Sequence, residues 1–576
     1  MLNDLYTHEG EKLRDTPWQV YPRPQMKRES YVNLNGLWEF TVTDRDTLPK
    51  TYDRQILVPF CPESLLSGLK MKIKPGSFLY YRRMFTLPEG FRQDRVLLHV
   101  GAADQIARVY VNGRLMGSHT GGYNAFCVDI TKALVPEENE IVIAVYDDLR
   151  SKVLPYGKQT LNRGGMWYTP VSGIWQTVWL ESVPEQYIED IDIQVTQISA
   201  VITVEPVQDG AVVLEGKCYP LQNGTVEVFP ENLHLWSPEE PYLYRFSVET
   251  RTDRVESYFA LRTLEIKSCN GIPRLCLNGK PYFFHGLLDQ GYWSDGIYTP
   301  AVPECYESDI LEMKRLGFNT LRKHIKVEPE QFYYDCDRLG MLVFQDMVNN
   351  GTYSFLRDTL LPTVGVQKRK DTALHRDQET REAFLAGMKE TVAQLRKHPS
   401  ICYWTIFNEG WGQFCSEDAY RMLKRMDPSR FIDATSGWFR RNETDVDSRH
   451  VYFTPWCLLR PSDKPLVLSE FGGYTYAVPG HLFNSEKAYG YKTCKDKTQF
   501  QTAMAELYMT KVLPAVNRGL CAAICTQVSD VEDEINGMLT YDRKVNKADA
   551  ERMQQISRAL RDAFLESCGQ ANCIDT

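Results

Sequence analysis

From Arg262 onward the chain alternates short apolar runs with amphipathic helical patterns over about 300 residues, and few folds accommodate that rhythm. Tyr282–Leu288, Asn319–His324, Met341–Met347 and Ile401–Phe407 read as strands one to four. Phe431–Ala434, Val451–Thr454, Pro465–Ser469 and Leu520–Gln527 read as five to eight. Between them the helical patterns Tyr306–Leu316 and Pro329–Leu339 end at Gly317 and Gly340, and Glu379–His398 stops before Pro399. Eight strand–helix units predict a (β/α)8 barrel, a fold whose chemistry sits at the carboxyl ends of its strands.

Two of those strands end in glutamate. Ile401 to Gly412, ICYWTIFNEGWG, is a nearly unbroken apolar and aromatic run that halts at Asn408, Glu409 and Gly410. Its neighbours are expected to raise the pKa of Glu409, which suits a general acid. The duller alternative is an ordinary strand-to-loop junction. Pro465 to Gly473, PLVLSEFGG, repeats the pattern at Glu470. Two carboxylates at one barrel mouth are the minimal apparatus for cutting a glycosidic bond.

The part before the barrel reads as all-β. Leu34–Phe40, Tyr80–Leu87, Val96–Val100 and Ile141–Tyr146 are strand patterns, and ARVYVNGRLM (Ala107–Met116) is a hairpin with a type I′ Asn112-Gly113 turn. A smaller β region follows, with strands at Ile188–Val195, Gly210–Glu215 and Tyr242–Glu249.

Asn408-Glu409, Glu470, the Tyr80–Gly122 stretch and the HLWSPEEPYLY segment together resemble glycoside hydrolase family 2, the group of β-galactosidases, β-glucuronidases and β-mannosidases, along essentially the whole chain. The resemblance implies a jelly-roll sugar-binding-like domain over 1–185, an immunoglobulin-like β-sandwich over 186–268 and a (β/α)8 barrel over 269–576. It makes Glu409 the acid/base and Glu470 the nucleophile of a retaining reaction. It gives Asn408 a hydrogen bond to the sugar 2-hydroxyl and Tyr452 one to the nucleophile. Arg322 matches well, whereas His324 falls one place before the histidine of the family pattern. Asp289, Gln290 and Trp293 follow strand one, and Asp346 ends strand three, where sugar contacts are expected. Trp411, Trp438 and Trp456 follow strand ends as candidate stacking platforms, against the plainer alternative of core aromatics. Trp167 either lines the mouth or fills a domain interface.

Two departures bear on the sugar. Glucuronidases of the family carry Asn-x-Lys just before a stretch like Gly537–Lys544, and here that place reads Glu534-Ile535-Asn536. An acidic residue there disfavours a uronate, although Lys323 and Lys326 offer another carboxylate site. Strand eight lacks the usual Trp and reads Cys525-Thr526-Gln527-Val528-Ser529-Asp530, so Gln527 or Asp530 is expected to make the polar contacts. The expectation is an exo-β-glycosidase acting on a neutral hexose such as β-galactose. A β-uronidase and a non-catalytic carbohydrate-binding protein stand as alternatives.

The net charge of −9, with no basic block, argues against nucleic acid. No apolar run reaches membrane-spanning length, and the N-terminus has no signal-peptide core. Fifteen cysteines, several in apolar strand runs, read as reduced thiols of a cytoplasmic protein. No His/Asp/Glu cluster has metal-ligand spacing, so no cofactor is required, with a divalent cation an optional aid as in some family members. A homo-oligomer is compatible with the sequence, which specifies none.

Overall fold

The computed structural model describes residues 2–361, 371–452, 456, 459 and 461–569. Its first part packs a four-stranded antiparallel sheet, with Val178–Val183 and Arg95–Val100 at its centre, against a six-stranded sheet built around Ser77–Phe85 and Asn139–Asp147. Phe40, Tyr81, Leu98, Ile143 and Leu180 close the core between them. The expected hairpin pairs Ile106–Val111 with Arg114–Thr120. Its turn has positive φ at both Asn112 (49°) and Gly113 (75°), which a type I′ turn demands.

A smaller sandwich follows, of three and four antiparallel strands. Trp236 leaves it and donates Nε1–H to Asp337 O at 2.7 Å, pinning this sandwich to a barrel helix. Gly340 ends that helix at φ 74°. A Cβ there would stand 2.6 Å from Pro238 O, so the contact needs glycine twice over.

The barrel strands are β1 (Phe284–Asp289), β2 (Thr320–Lys323), β3 (Leu342–Asp346), β4 (Ile401–Asn408), β5 (Phe431–Ser436), β6 (Asp447–Val451), β7 (Leu466–Gly472) and β8 (Leu520–Thr526). All run parallel, in the order 5-4-3-2-1-8-7-6. Every residue of β4 is buried, as a strand covered on both faces requires. The wall has one seam. No backbone ladder joins β5 to β6 among the described residues, and the gap is bridged by side chains: Ser436 Oγ lies 3.0 Å from His450 Nε2 and 3.0 Å from Ser469 Oγ.

Helices α1 (Glu304–Arg315), α2 (Glu330–Leu339) and α3 (Gln378–Leu395) follow β1 to β3, and α4 (Ser416–Met426) follows β4. The expected alternation then lapses, because among the described residues no α-helix stands between β5, β6 and β7. Strand six lies earlier than expected, ending at Val451, and part of the predicted Val451–Thr454 run falls outside the described residues. Cys402, Cys521 and Cys525 are buried free thiols. Among the described residues no helix is long and apolar enough to cross a membrane.

Candidate active site

Both glutamates sit where the regular course of their strands is interrupted. Glu409 follows the last residue of β4 and takes a left-handed backbone (φ 53°), while its N–H still donates to Ser436 O of β5 at 2.9 Å. That conformation costs an ordinary residue roughly 1–2 kcal/mol, and such strain concentrates at functional sites. In β7 the pairing with β8 jumps from Leu468↔Ala523 to Phe471↔Cys525. Ser469 and Glu470 thus face a single residue, a bulge that re-aims the glutamate. One carboxylate oxygen of each glutamate and one nitrogen of His450 all lie within 4.8 Å of one another.

Most of the expected residues gather around this pair. Arg322, on β2 and almost wholly buried, spans three of them. Its Nη1 donates to Glu470 Oε1 (3.0 Å), its Nε to Asp346 Oδ1 (3.0 Å) and its Nη2 to Asn408 Oδ1 (2.8 Å). Asn408 is thereby oriented with its amide N–H2 left without a protein partner among the described residues. Tyr452 lies just past β6, and its hydroxyl is 3.0 Å from Glu470 Oε2 and 2.6 Å from Thr526 Oγ1. His324, despite its shifted place in the sequence, joins the same network, with Nδ1 2.7 Å from Asp346 Oδ2.

Other expected contacts lie elsewhere. Asp289 is consumed by Lys323 Nζ (2.6 Å) and the Gly291 N–H (2.9 Å). Lys323 also pairs with Glu328 (2.8 Å). Lys326 pairs with Glu328 (2.9 Å) and donates to Gly291 O and Tyr298 O. Neither lysine is free to take a carboxylate, because buried charges are held by the partners that made burial tolerable. Gln527 is wholly buried and donates to Asn536 Oδ1 (2.7 Å), so it backs the mouth instead of lining it. Asp530 is paired with Lys547 (2.6 Å). Trp438 packs near the His450 ring (5.7 Å) with its buried Nε1 unpartnered, and Trp456 packs edge-on to Phe471. Trp411 and Trp167 meet edge-on at 5.1 Å, so Trp167 is at once an interface residue and part of the mouth.

Glu534, the acidic residue expected to disfavour a uronate, belongs to a run of three acids that contacts the first sandwich. Glu532 and Asp533 pair with Arg163 of the first sandwich (2.9 and 2.7 Å), and Glu532 accepts the Thr169 N–H. Glu534 accepts from the Tyr168 hydroxyl (2.5 Å) and from Asn536 Nδ2 (2.9 Å). The three acids fasten the 156–172 loop to the barrel.

The expected rise in the pKa of Glu409 is reversed. Burial pushes it up, but the hydrogen bond and charge of His450, helped by Lys158 and His324, hold it below the usual glutamate value. The apolar strand surrounds the backbone of β4, while the carboxylate itself faces an imidazole. Asp346 is likewise lowered, because Arg322 and His324 outweigh its burial. Glu534 is raised, chiefly by burial.

His450 is the main residue that the sequence did not announce. Its Nδ1 lies 2.8 Å from Glu409 Oε1 and 3.4 Å from Glu470 Oε2. It reaches them because β6 also shifts register, between Arg449 and His450. Glu409, His450 and Glu470 form the one group of three side chains, among the described residues, close enough to hold a metal ion. An ion there would sit on both carboxylates that the two strand ends present, so the arrangement does not fit a resident cation that leaves them free to react.

Comparison with known proteins gives the family of all three parts of the chain. Residues 70–184 match the model for the sugar binding domain of glycosyl hydrolases family 2, residues 187–262 the central family 2 model, and residues 272–559 its TIM barrel domain. A β-galactosidase of Thermoanaerobacter pseudethanolicus is 25% identical over 445 residues, 70% of this chain and 55% of that enzyme. A β-glucuronidase of Felis catus is 26% identical over 561 residues, 80% of each chain. The solved β-D-glucuronidase from Dictyoglomus thermophilum superposes with a TM-score of 0.74 at 21% identity, covering 93% of this chain and 98% of that one.

Proposed function

The chain belongs to glycosyl hydrolase family 2, and from that premise we propose that it is a retaining exo-β-glycosidase that removes a terminal β-linked hexose. The observation that carries this reading is the closeness of the two carboxylates. Their nearest oxygens are within 4.8 Å. Carboxyl groups about 5–5.5 Å apart suit a nucleophile and an acid/base, whereas roughly 6.5–9.5 Å leaves room for the water of an inverting enzyme.

In the proposed reaction Glu470 attacks the anomeric carbon as the bond to the leaving oxygen breaks. Glu409 gives that oxygen its proton. Glu409 then takes a proton from water, the water oxygen attacks the anomeric carbon, and Glu470 is released. Arg322 and Tyr452 hold Glu470 through one oxygen each, which orients it and stabilises its ionised form. Glu409 is the more exposed of the two, as a group that must meet both the leaving group and water should be.

Two sugar classes are carried forward. A neutral β-galactoside is the sequence expectation, and the full commitment of Lys323 and Lys326 supports it. A β-uronide gains support from the names of the feline relative and the Dictyoglomus structure, and from the finding that Glu534 is locked into a loop contact. Initial rates on 4-nitrophenyl β-galactoside, glucoside, mannoside, glucuronide and galacturonide test the proposal, with Glu409→Gln and Glu470→Gln beside the wild type. Turnover that survives Glu470→Gln would overturn it.

A further inference from the structure

The first sandwich lays a loop across the barrel mouth and delivers one lysine there. The N–H groups of Tyr156 and Gly157 donate to Asn349 O (3.1 and 3.2 Å), on the loop after β3. Gly157 has φ 61°, and a Cβ there would stand 3.0 Å from Ile325 O, one residue past His324. The next residue, Lys158, is anchored through its carbonyl to the Tyr168 N–H (3.0 Å). Its ammonium lies 5.5 Å from the centre of the Trp167 ring, which itself packs on Trp411, two residues beyond Glu409. The packing of Gly157 on Ile325 and of Trp167 on Trp411 sets it beside the mouth and not on the outer wall, and its charge helps to lower the pKa of Glu409.

Four lysines are buried in the described residues: Lys158, Lys323, Lys326 and Lys547. The last three are paired with carboxylates. Lys158, only 8% exposed, makes no ion pair and no hydrogen bond from its ammonium to the described protein. With all three donors unspent on the described protein, the ammonium of this largely buried side chain is left for a ligand that enters the mouth. Glu409 and Glu470 make the mouth acidic, yet neither is close enough to pair with the ammonium. A cation beside an acidic mouth offsets the repulsion that an anionic sugar meets there.

We propose that Lys158 is a specificity-determining residue whose ammonium receives the carboxylate of a β-linked hexuronic acid held between Glu409 and Glu470. The proposal rests on the retaining-glycosidase reading and chooses its second sugar class. It places the acid-recognising cation on the first sandwich, so that a domain without catalytic groups decides what the barrel cuts.

The test is kcat/KM for 4-nitrophenyl β-glucuronide and β-galacturonide, and for the matching glucoside and galactoside, in wild type, Lys158→Gln and Lys158→Arg. The wild type is expected to prefer a uronide over its neutral counterpart. Lys158→Gln should lower the uronide-to-neutral ratio at least about tenfold, mainly through KM, and Lys158→Arg should restore part of it. An equal fall on both sugars would assign Lys158 to tuning the glutamates and overturn the proposal. So would a wild type that cleaves a neutral hexoside and no uronide, an outcome that leaves the glycosidase reading intact. If no glycoside is cleaved, that reading fails by itself. Calorimetric titration with D-glucuronate and D-galacturonate then decides: binding weakened about tenfold by Lys158→Gln upholds the carboxylate site, and binding no tighter than that of glucose or galactose overturns it.

Discussion

His450 Nδ1 stands 2.8 Å from Glu409 and 3.4 Å from Glu470, a single imidazole placed between the two carboxylates at the open seam of the barrel. Its other nitrogen is held by Ser436 at 3.0 Å. That contact joins β5 to β6 across the seam, where no backbone ladder runs among the described residues.

That relationship fixes a pH dependence. Glu409 must carry a proton to act as the general acid, and His450 holds its pKa below the ordinary glutamate value. The proton is therefore lost at a lower pH than from an unpartnered glutamate, and the alkaline limb of kcat/KM lies correspondingly low. Replacing His450 with Asn weakens the donor and its charge, so burial regains influence and the alkaline limb moves to higher pH. A pH–rate profile of His450→Asn checks this, and a limb that stays in place or moves down contradicts it.

Removing the Tyr452 hydroxyl should slow the reaction without unfolding the protein. Hydrogen bonds to charged groups contribute about 1.5–3 kcal/mol, and 1.4 kcal/mol is tenfold in rate. Tyr452→Phe is expected to lower kcat by about tenfold to a hundredfold while thermal unfolding changes little. Circular dichroism beside steady-state kinetics separates the two effects.

Arg322 should behave in the opposite sense. Its guanidinium is buried against Asp346, Glu470 and Asn408. Arg322→Met strands two buried carboxylates, and breaking a buried pair in this way costs about 3–5 kcal/mol. Loss of fold stability is expected to accompany loss of activity, measured by denaturant unfolding. A variant as stable as the wild type would show that these charges are less confined than the geometry indicates.

The two glutamates are expected to fail differently. Glu409→Ala should retain much of its first step on 4-nitrophenyl glycosides, whose leaving group needs little protonation, and should accumulate the glycosyl-enzyme because water is no longer activated. Added azide, which needs no general base, should rescue turnover and yield a β-glycosyl azide. Glu470→Ala should show neither the accumulation nor that product. Rapid-mix kinetics and mass analysis of the products distinguish the two variants.

What could be read in advance was whatever local pattern determines. Unbroken apolar runs marked β4 and β7 as buried strands, and their abrupt ends marked Asn408-Glu409 and Glu470. Asn112-Gly113 specified its hairpin through backbone sterics alone. Residues whose role depends on distant neighbours were not legible. Lys323 and Lys326 look like free cations in the chain and are tied up by Asp289 and Glu328 in the fold. Glu534 looks like a group facing the sugar and instead binds Tyr168. His450 depends on a register shift that no short motif announces, and Lys158 on a loop from another domain. The pKa of Glu409 was misjudged for the same reason, since the strand's apolar composition says nothing about an imidazole arriving from β6.

The most direct test of the account is the configuration of the first product. Hydrolysis of the 4-nitrophenyl β-glycoside that the protein cleaves fastest should be followed by proton NMR before the released sugar mutarotates. Glu409 and Glu470 in one narrow mouth predict that the β-anomer appears first and the α-anomer grows in later. An α-anomer appearing first would mean inversion, and would contradict Glu470 as the nucleophile of a double displacement.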